Sequence, residues 1–206
     1  MSDKANKRVG ILGGTFNPIH TGHLILAQHA LDEYELDEIL FIPVGTPYFK
    51  DPSAVLSKQH RIAMVTAAIK DNPKFALSTV ETDREGISYT YETLQVLKKD
   101  NPNTDYYLIL GADTLYQIES WKEPDIIMAN AGILAAVRDG KSTSELKNKA
   151  AELMDKYHND IHILTMPATD ISSTDIRARV GAGRSIRYMV SEGVRTYIEK
   201  NNLYRD

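Results

Sequence analysis

The sequence contains no cysteine, which excludes disulfides, thiolate metal sites and a cysteine nucleophile. No apolar run approaches the roughly 18 residues a membrane-spanning helix needs, so no membrane partner is expected. A large excess of either charge is lacking. The 24 Lys and Arg against 28 Asp and Glu leave a net charge of -4. Proteins that bind duplex nucleic acid usually carry a basic face, so no nucleic-acid partner is expected either, although a local basic pocket is compatible. The start, Met1 to Arg8, is polar and leads straight into an apolar run, unlike a signal peptide. Internal repeats, low-complexity tracts and an interdomain linker are all lacking. A soluble, cytoplasmic protein is expected. Its 206 residues, 42 % apolar, suffice for one domain spanning residues 1–206 with a full core.

What is present is an alternation of short apolar runs and helical patterns. Strands are expected at Val9–Leu12, Ile39–Ile42, Phe75–Val80, Tyr106–Leu110, Gly132–Val137 and Ile161–Leu164. A helix from Leu24 places Leu24, Ala27, Leu31 and Tyr34 on one face. Another, capped by Ser57, places Ile62, Val65 and Ile69 inward. Thr90–Lys99 reads as a helix with Leu94 and Leu97 inward, followed by helices over 143–158, 173–180 and 191–200. Residues 44–57, rich in Gly, Pro and Ser, form a loop that reads as a lid. Gly181-Ala182-Gly183 separates the last two helices. The alternation predicts an α/β fold, a doubly wound, mostly parallel, Rossmann-like sheet with short C-terminal helices. In such sheets ligands sit beyond the carboxyl ends of the strands. That rule gathers the turn after Leu12, the loop after Pro43 and Gly111-Ala112-Asp113 on one rim.

The stretch Gly13-Gly14-Thr15-Phe16-Asn17-Pro18-Ile19-His20-Thr21-Gly22-His23 lies at the first strand-to-helix turn. Its glycines permit close approach, and amides at a helix N-terminus receive anions. The glycine spacing fits neither a Walker loop nor the dinucleotide fingerprint. His20 and His23, one helical turn apart, allow three readings: inert residues, metal ligands, or donors that neutralise a leaving pyrophosphate. The adjoining glycines favour the third. Downstream, Ile171-Ser172-Ser173-Thr174-Asp175-Ile176-Arg177 offers either a simple helix cap or a phosphate site of hydroxyls, amides and guanidinium.

As a pair, these two motifs resemble those of the nucleotidylyltransferase superfamily, and within it the bacterial nicotinate-nucleotide adenylyltransferases. The resemblance runs from about Val9 to Tyr204 and includes Ser88-Tyr89-Thr90, Gly111-Ala112-Asp113, Trp121, Ser185-Ile186-Arg187-Tyr188, Val194, Tyr197-Ile198 and Leu203-Tyr204. It implies adenylyl transfer from ATP to nicotinate mononucleotide, giving nicotinate adenine dinucleotide and pyrophosphate, with Mg2+ carried by the ATP phosphates. It implies catalytic roles for His20, His23 and Arg177. Gly13, Gly14, His20, His23, Ile171, Ser172, Ser173, Thr174 and Arg177 would hold ATP. Thr15, Phe16, Asn17, Lys50, Thr90, Gly111, Asp113 and Trp121 would face the acceptor, with Trp121 stacked on the pyridine. From the residues alone, Trp121 reads equally as a core anchor. Asp113 reads both as a ribose ligand and as the N-cap of a helix over 114–118. No metal-ligating residues are expected, and a homo-oligomer stays open. The family's loop usually reads Pro-Pro-His-Lys or Pro-Pro-His-Arg; here it is Pro47-Tyr48-Phe49-Lys50, so the histidine is replaced by Phe49. A phosphopantetheine adenylyltransferase and a catalytically dead nucleotide-binding regulator are the alternatives. The intact His20, His23 and Arg177 speak against the second.

Overall fold

The computed structural model describes residues 6–46, 55–138, 144–166 and 169–205. Six strands form one sheet: β1 (Lys7–Gly14), β2 (Glu38–Pro43), β3 (Phe75–Leu77), β4 (Thr104–Gly111), β5 (Ala131–Arg138) and β6 (Ile161–Met166). Their order is β3-β2-β1-β4-β5-β6, and every pairing is parallel rather than mostly so. The helices are α1 (Thr21–Glu33), α2 (Lys58–Ile69), α3 (Thr90–Asp100), α4 (Ala112–Leu115), α5 (Pro124–Asn130), α6 (Ser144–Tyr157), α7 (Ser173–Gly181) and α8 (Glu192–Lys200).

The period-2 alternation of strand side chains assigns the helices to faces. Leu12, Phe41, Ile109, Leu134 and Leu164 meet α1, α2, α7 and α8 in one apolar layer. Their neighbours Ile11, Ile42, Leu108, Ile133 and Ala135 meet α3, α4, α5 and α6 in the other. Burial on both faces is why the strands read as continuous apolar runs rather than as alternating ones.

The chain order reverses between β1 and β4, and there the strands part. Their pairing runs only from Lys7↔Thr104 to Ile11↔Leu108. Beyond it β1 pairs with β2 up to Gly14↔Pro43, and β4 with β5 up to Gly111↔Ala136. The carboxyl ends thus open a crevice at the switch point, as doubly wound sheets do.

Several local expectations change. Helix α1 starts at Thr21, not Leu24, with His20 in extended conformation as its N-cap. Its fully buried residues are Gly22, Ala27, Ala30 and Leu31, with Leu24 and Tyr34 only partly buried. In α2 the buried positions are Arg61, Met64, Val65 and Ile69, while Ile62 sits at the margin. Strand β3 stops at Leu77 rather than Val80. Asp113 is not a cap. Gly111 caps α4, and Asp113 lies exposed in its first turn. α3, α6, α7 and α8 fall as expected to within about one residue, α4 lies at Ala112–Leu115 rather than 114–118, and α5 is a helix that the sequence pattern does not predict. Ser57, Ser172 and Ser191 each accept from the amide three residues on. Gly183, at φ 67, lies just past the end of α7.

Candidate active site

The turn between β1 and α1 is gripped from four sides. Arg177 Nη1 donates to the Asn17 carbonyl at 2.9 Å, and Ser173 Oγ donates to the Pro18 carbonyl at 2.9 Å. Met189 O accepts from the Thr21 amide at 2.9 Å, and Tyr188 O accepts from the Thr21 hydroxyl at 3.2 Å. Asn17 Oδ1 accepts from the Tyr204 hydroxyl at 2.9 Å and from the Leu56 amide at 3.4 Å. Arg61 Nη1 donates to the Thr15 carbonyl at 3.0 Å. Two motifs about 150 residues apart in sequence are therefore in direct contact. The N-terminal ends of α1 and α7, the helix ends at which backbone amides favour anions, are thereby held together through this turn.

The two imidazoles stack with ring centroids 3.7 Å apart and planes inclined by 34°. The His23 ring also meets the Phe16 ring in a T-shaped contact at 5.1 Å, and Phe16 is itself core, 2 % exposed. His23 Nδ1 accepts from the His20 amide at 3.2 Å. An accepting Nδ1 carries no proton, so neutral His23 has its hydrogen on Nε2, where it can be donated to an anion. A backbone contact thereby sets the tautomer.

In the crevice lies a cavity of about 660 Å³, lined among others by Gly13, Gly14, Thr15, Thr90 and Trp121. Five residues expected from sequence at the site thus share one wall system. A Cβ built on Gly13 or Gly111 would meet nothing within 4 Å, so the fold does not require these glycines; the space in front of them is open. Trp121 is half-buried. It contributes to the cavity wall and packs its remainder on the second apolar layer. His20, His23, Arg177 and the Ser172–Thr174 run are not among the residues that line this cavity. Gly111 and Asp113 occupy the exposed end of β4 and the start of α4. Ser172 does cap α7, and Thr174 Oγ1 accepts from Arg177 Nη2 at 3.4 Å, so capping and donor alignment come from the same residues. Ile171 packs on the first apolar layer. Lys50, Phe49 and most of the expected lid fall outside the described residues.

Lys122, Arg61 and Glu81 carry no signal in the sequence pattern, whereas Ser88 belongs to the Ser88-Tyr89-Thr90 string of the resemblance. Lys122 Nζ stands 4.2 Å from the Tyr89 ring centroid at the cavity rim, a cation–π contact. Ser88, which lines the cavity, accepts from the Gly45 amide at 3.2 Å. Arg61 is considered below. Glu81 lies in the cavity wall and accepts from Thr93 Oγ1 at 2.8 Å. Burial pushes its carboxyl above the ordinary glutamate range, against the opposing effects of Thr93, Arg84, Ser88 and the Gly45 amide. A raised folded value means that the contribution of Glu81 to stability is fully present at low pH. It is lost as pH rises through that value, because the folded chain resists ionisation. Glu81→Gln should therefore gain melting temperature relative to the wild type as pH rises from about 4 to about 7, the ordinary carboxylate value being about 4.3. A constant difference across that range would show that Glu81 ionises without penalty.

Comparison with known proteins gives the family and the fold. A sequence model of the cytidylyltransferase-like family matches residues 11–179. The probable nicotinate-nucleotide adenylyltransferase of Lachnoclostridium phytofermentans is 45 % identical over 198 residues, covering 96 % of this chain and 99 % of the relative. That of Salinibacter ruber is 41 % identical over 197 residues, covering 96 % and 97 %. Among solved structures, Plasmodium falciparum nicotinic acid mononucleotide adenylyltransferase complexed with NaAD superposes with a TM-score of 0.78 at 23 % identity, covering 96 % of this chain and 97 % of that one. No helix among the described residues is long and apolar enough to cross a membrane. The chain belongs to the cytidylyltransferase-like family and, within it, to the nicotinate-nucleotide adenylyltransferases.

Proposed function

We propose that this protein transfers the adenylyl group of ATP to nicotinate mononucleotide, releasing pyrophosphate and forming nicotinate adenine dinucleotide. The observation that carries the reading is the direct contact of the two motifs, Ser173 to Pro18 and Arg177 to Asn17, beside a cavity walled by Gly13, Gly14, Thr15, Thr90 and Trp121. A phosphate oxygen of the acceptor bonds to the α-phosphorus of ATP, and the bond from that phosphorus to the bridging oxygen of the β-phosphate breaks. The acceptor phosphate is already ionised at neutral pH, so neither a general base nor a protein nucleophile is needed. The protein contributes alignment and charge stabilisation.

His23 Nε2 and the His20 ring face the negative charge that grows on the departing pyrophosphate. Arg177, with the hydroxyls and amides of Ser172–Thr174, holds the triphosphate from the α7 side, against Gly13 and Gly14. The amides of Thr15 and Phe16 meet the acceptor phosphate, Thr90 and Trp121 its pyridine ring, and Asp113 a ribose hydroxyl. The donor set on the triphosphate side consists of imidazoles, hydroxyls, amides and a guanidinium. Among the described residues no group of three or more His, Asp or Glu is placed to hold a metal ion. Such donors fit Mg2+ carried by the ATP phosphates rather than by a protein cage. When bound, that ion neutralises triphosphate charge.

Pyrophosphate release from ATP with a panel of phosphomonoesters tests the assignment. Nicotinate mononucleotide should support release and 4′-phosphopantetheine should not. The reverse would move the protein to another branch of the family, and release with neither would make it a binding protein.

A further inference from the structure

Arg61 is 1 % exposed, in the first turn of α2. Its guanidinium donates to three carbonyls from three separate pieces of chain: Nε to Leu56 at 3.1 Å, Nη1 to Thr15 at 3.0 Å and Nη2 to Gly45 at 3.1 Å. Among the described residues it has no carboxylate in ion-pair range. Burial lowers its pKa, but guanidinium starts so high that the charge persists at neutral pH. A buried cation satisfied only by neutral carbonyls is costly, and a fold that needed a tie alone could use uncharged groups.

The location of the charge supplies a reason for keeping it. Thr15 O belongs to the same peptide unit as the Phe16 N–H. Donation from a cation to that carbonyl polarises the unit and strengthens the N–H as a donor on its other side. Thr15 lines the cavity, and so does Gly14 before it. The same planar fork ties both ends of the 45–56 segment to this turn. The Gly45 end is also confined from behind: a Cβ there would stand 2.3 Å from Glu81 O and 2.7 Å from Ser88 Oγ.

We infer that Arg61 is a positioning residue for the phosphate of the acceptor. From beneath the first turn it aligns and polarises the Thr15–Phe16 peptide, and it sets both ends of the 45–56 segment against that peptide. The inference rests on the acceptor proposed above. Lysine cannot substitute, because a point-like ammonium cannot meet three carbonyls spread along a planar edge.

The test compares nicotinate mononucleotide with its dephosphorylated nucleoside, so that the phosphate contribution is read alone. In folded Arg61→Lys, the preference for nucleotide over nucleoside should shrink by about tenfold, with nucleoside and ATP affinities little changed. Equal weakening of nucleotide and nucleoside, or an unchanged preference, would assign Arg61 to the scaffold only. If the variant fails to fold, the wild type decides through its slowly exchanging buried arginine Nε–H resonance. Nicotinate mononucleotide should shift it and the nucleoside should not; a signal indifferent to both, in a protein that binds the nucleotide, overturns the inference. A wild type that binds no nicotinate mononucleotide at all overturns the proposed function instead.

Discussion

His23→Ala lowers kcat by about 100- to 1,000-fold, the usual scale for removing one preorganised donor to a charge that develops in the transition state. The KM for ATP changes far less, because in the proposed arrangement Arg177 and the α7 terminus also hold ground-state ATP. The geometry adds a finer expectation. His23 Nδ1 is occupied by the His20 amide, so the working proton is on Nε2. Gln places its amide nitrogen near the Nε2 position and Asn near Nδ1, so His23→Gln should recover more turnover than His23→Asn. Near-normal turnover in a folded His23→Ala variant would remove the residue from the chemistry. Asn outperforming Gln would reverse the tautomer.

Trp121→Ala raises the KM for nicotinate mononucleotide by roughly 5- to 150-fold, since stacking a base on an aromatic face is worth about 1–3 kcal/mol and 1.4 kcal/mol is tenfold. The KM for ATP should barely move. Because Trp121 also packs on the second apolar layer, a modest fall in melting temperature accompanies the change. Trp121→Phe should restore part of both. As Trp121 is the sole tryptophan, wild-type fluorescence reports directly: quenching by nicotinate mononucleotide, saturable and absent with ribose 5-phosphate. Equal damage to both substrates in Trp121→Ala, with a steep loss of stability, would make the residue a core anchor alone.

The sheet was legible because its strands are buried on both faces and stand out as apolar runs; five of the six expected strands lie wholly within observed ones. Edges were harder. β3 is an outer strand, paired only with β2 over Ile39↔Phe75 to Phe41↔Leu77, and its local pattern continues past the point where a partner exists. The start of α1 was misplaced because histidine is not among the usual N-cap residues. The crossover from β4 to β5 holds α4, a 3-10 turn at Ile118–Ser120 and α5, pieces too short to show a helical period.

The site divides in the same way. Its motif residues were legible as short-range strings, and the open crevice matches what the switch-point rule anticipates. Arg61 and Glu81 were not legible. A basic residue entering a helix and an acidic one after a strand both read as solvent-facing. Their burial is created by Leu56, Thr15 and Gly45 in one case and by Thr93, Ser88 and Gly45 in the other, all contacts made only on folding.

The central claim is tested most directly by following the α-phosphorus. With ATP labelled at that atom and nicotinate mononucleotide in excess, the label should appear in nicotinate adenine dinucleotide, matched mole for mole by unlabelled pyrophosphate. Label that stays in ATP, or emerges only as AMP, would contradict adenylyl transfer to this acceptor.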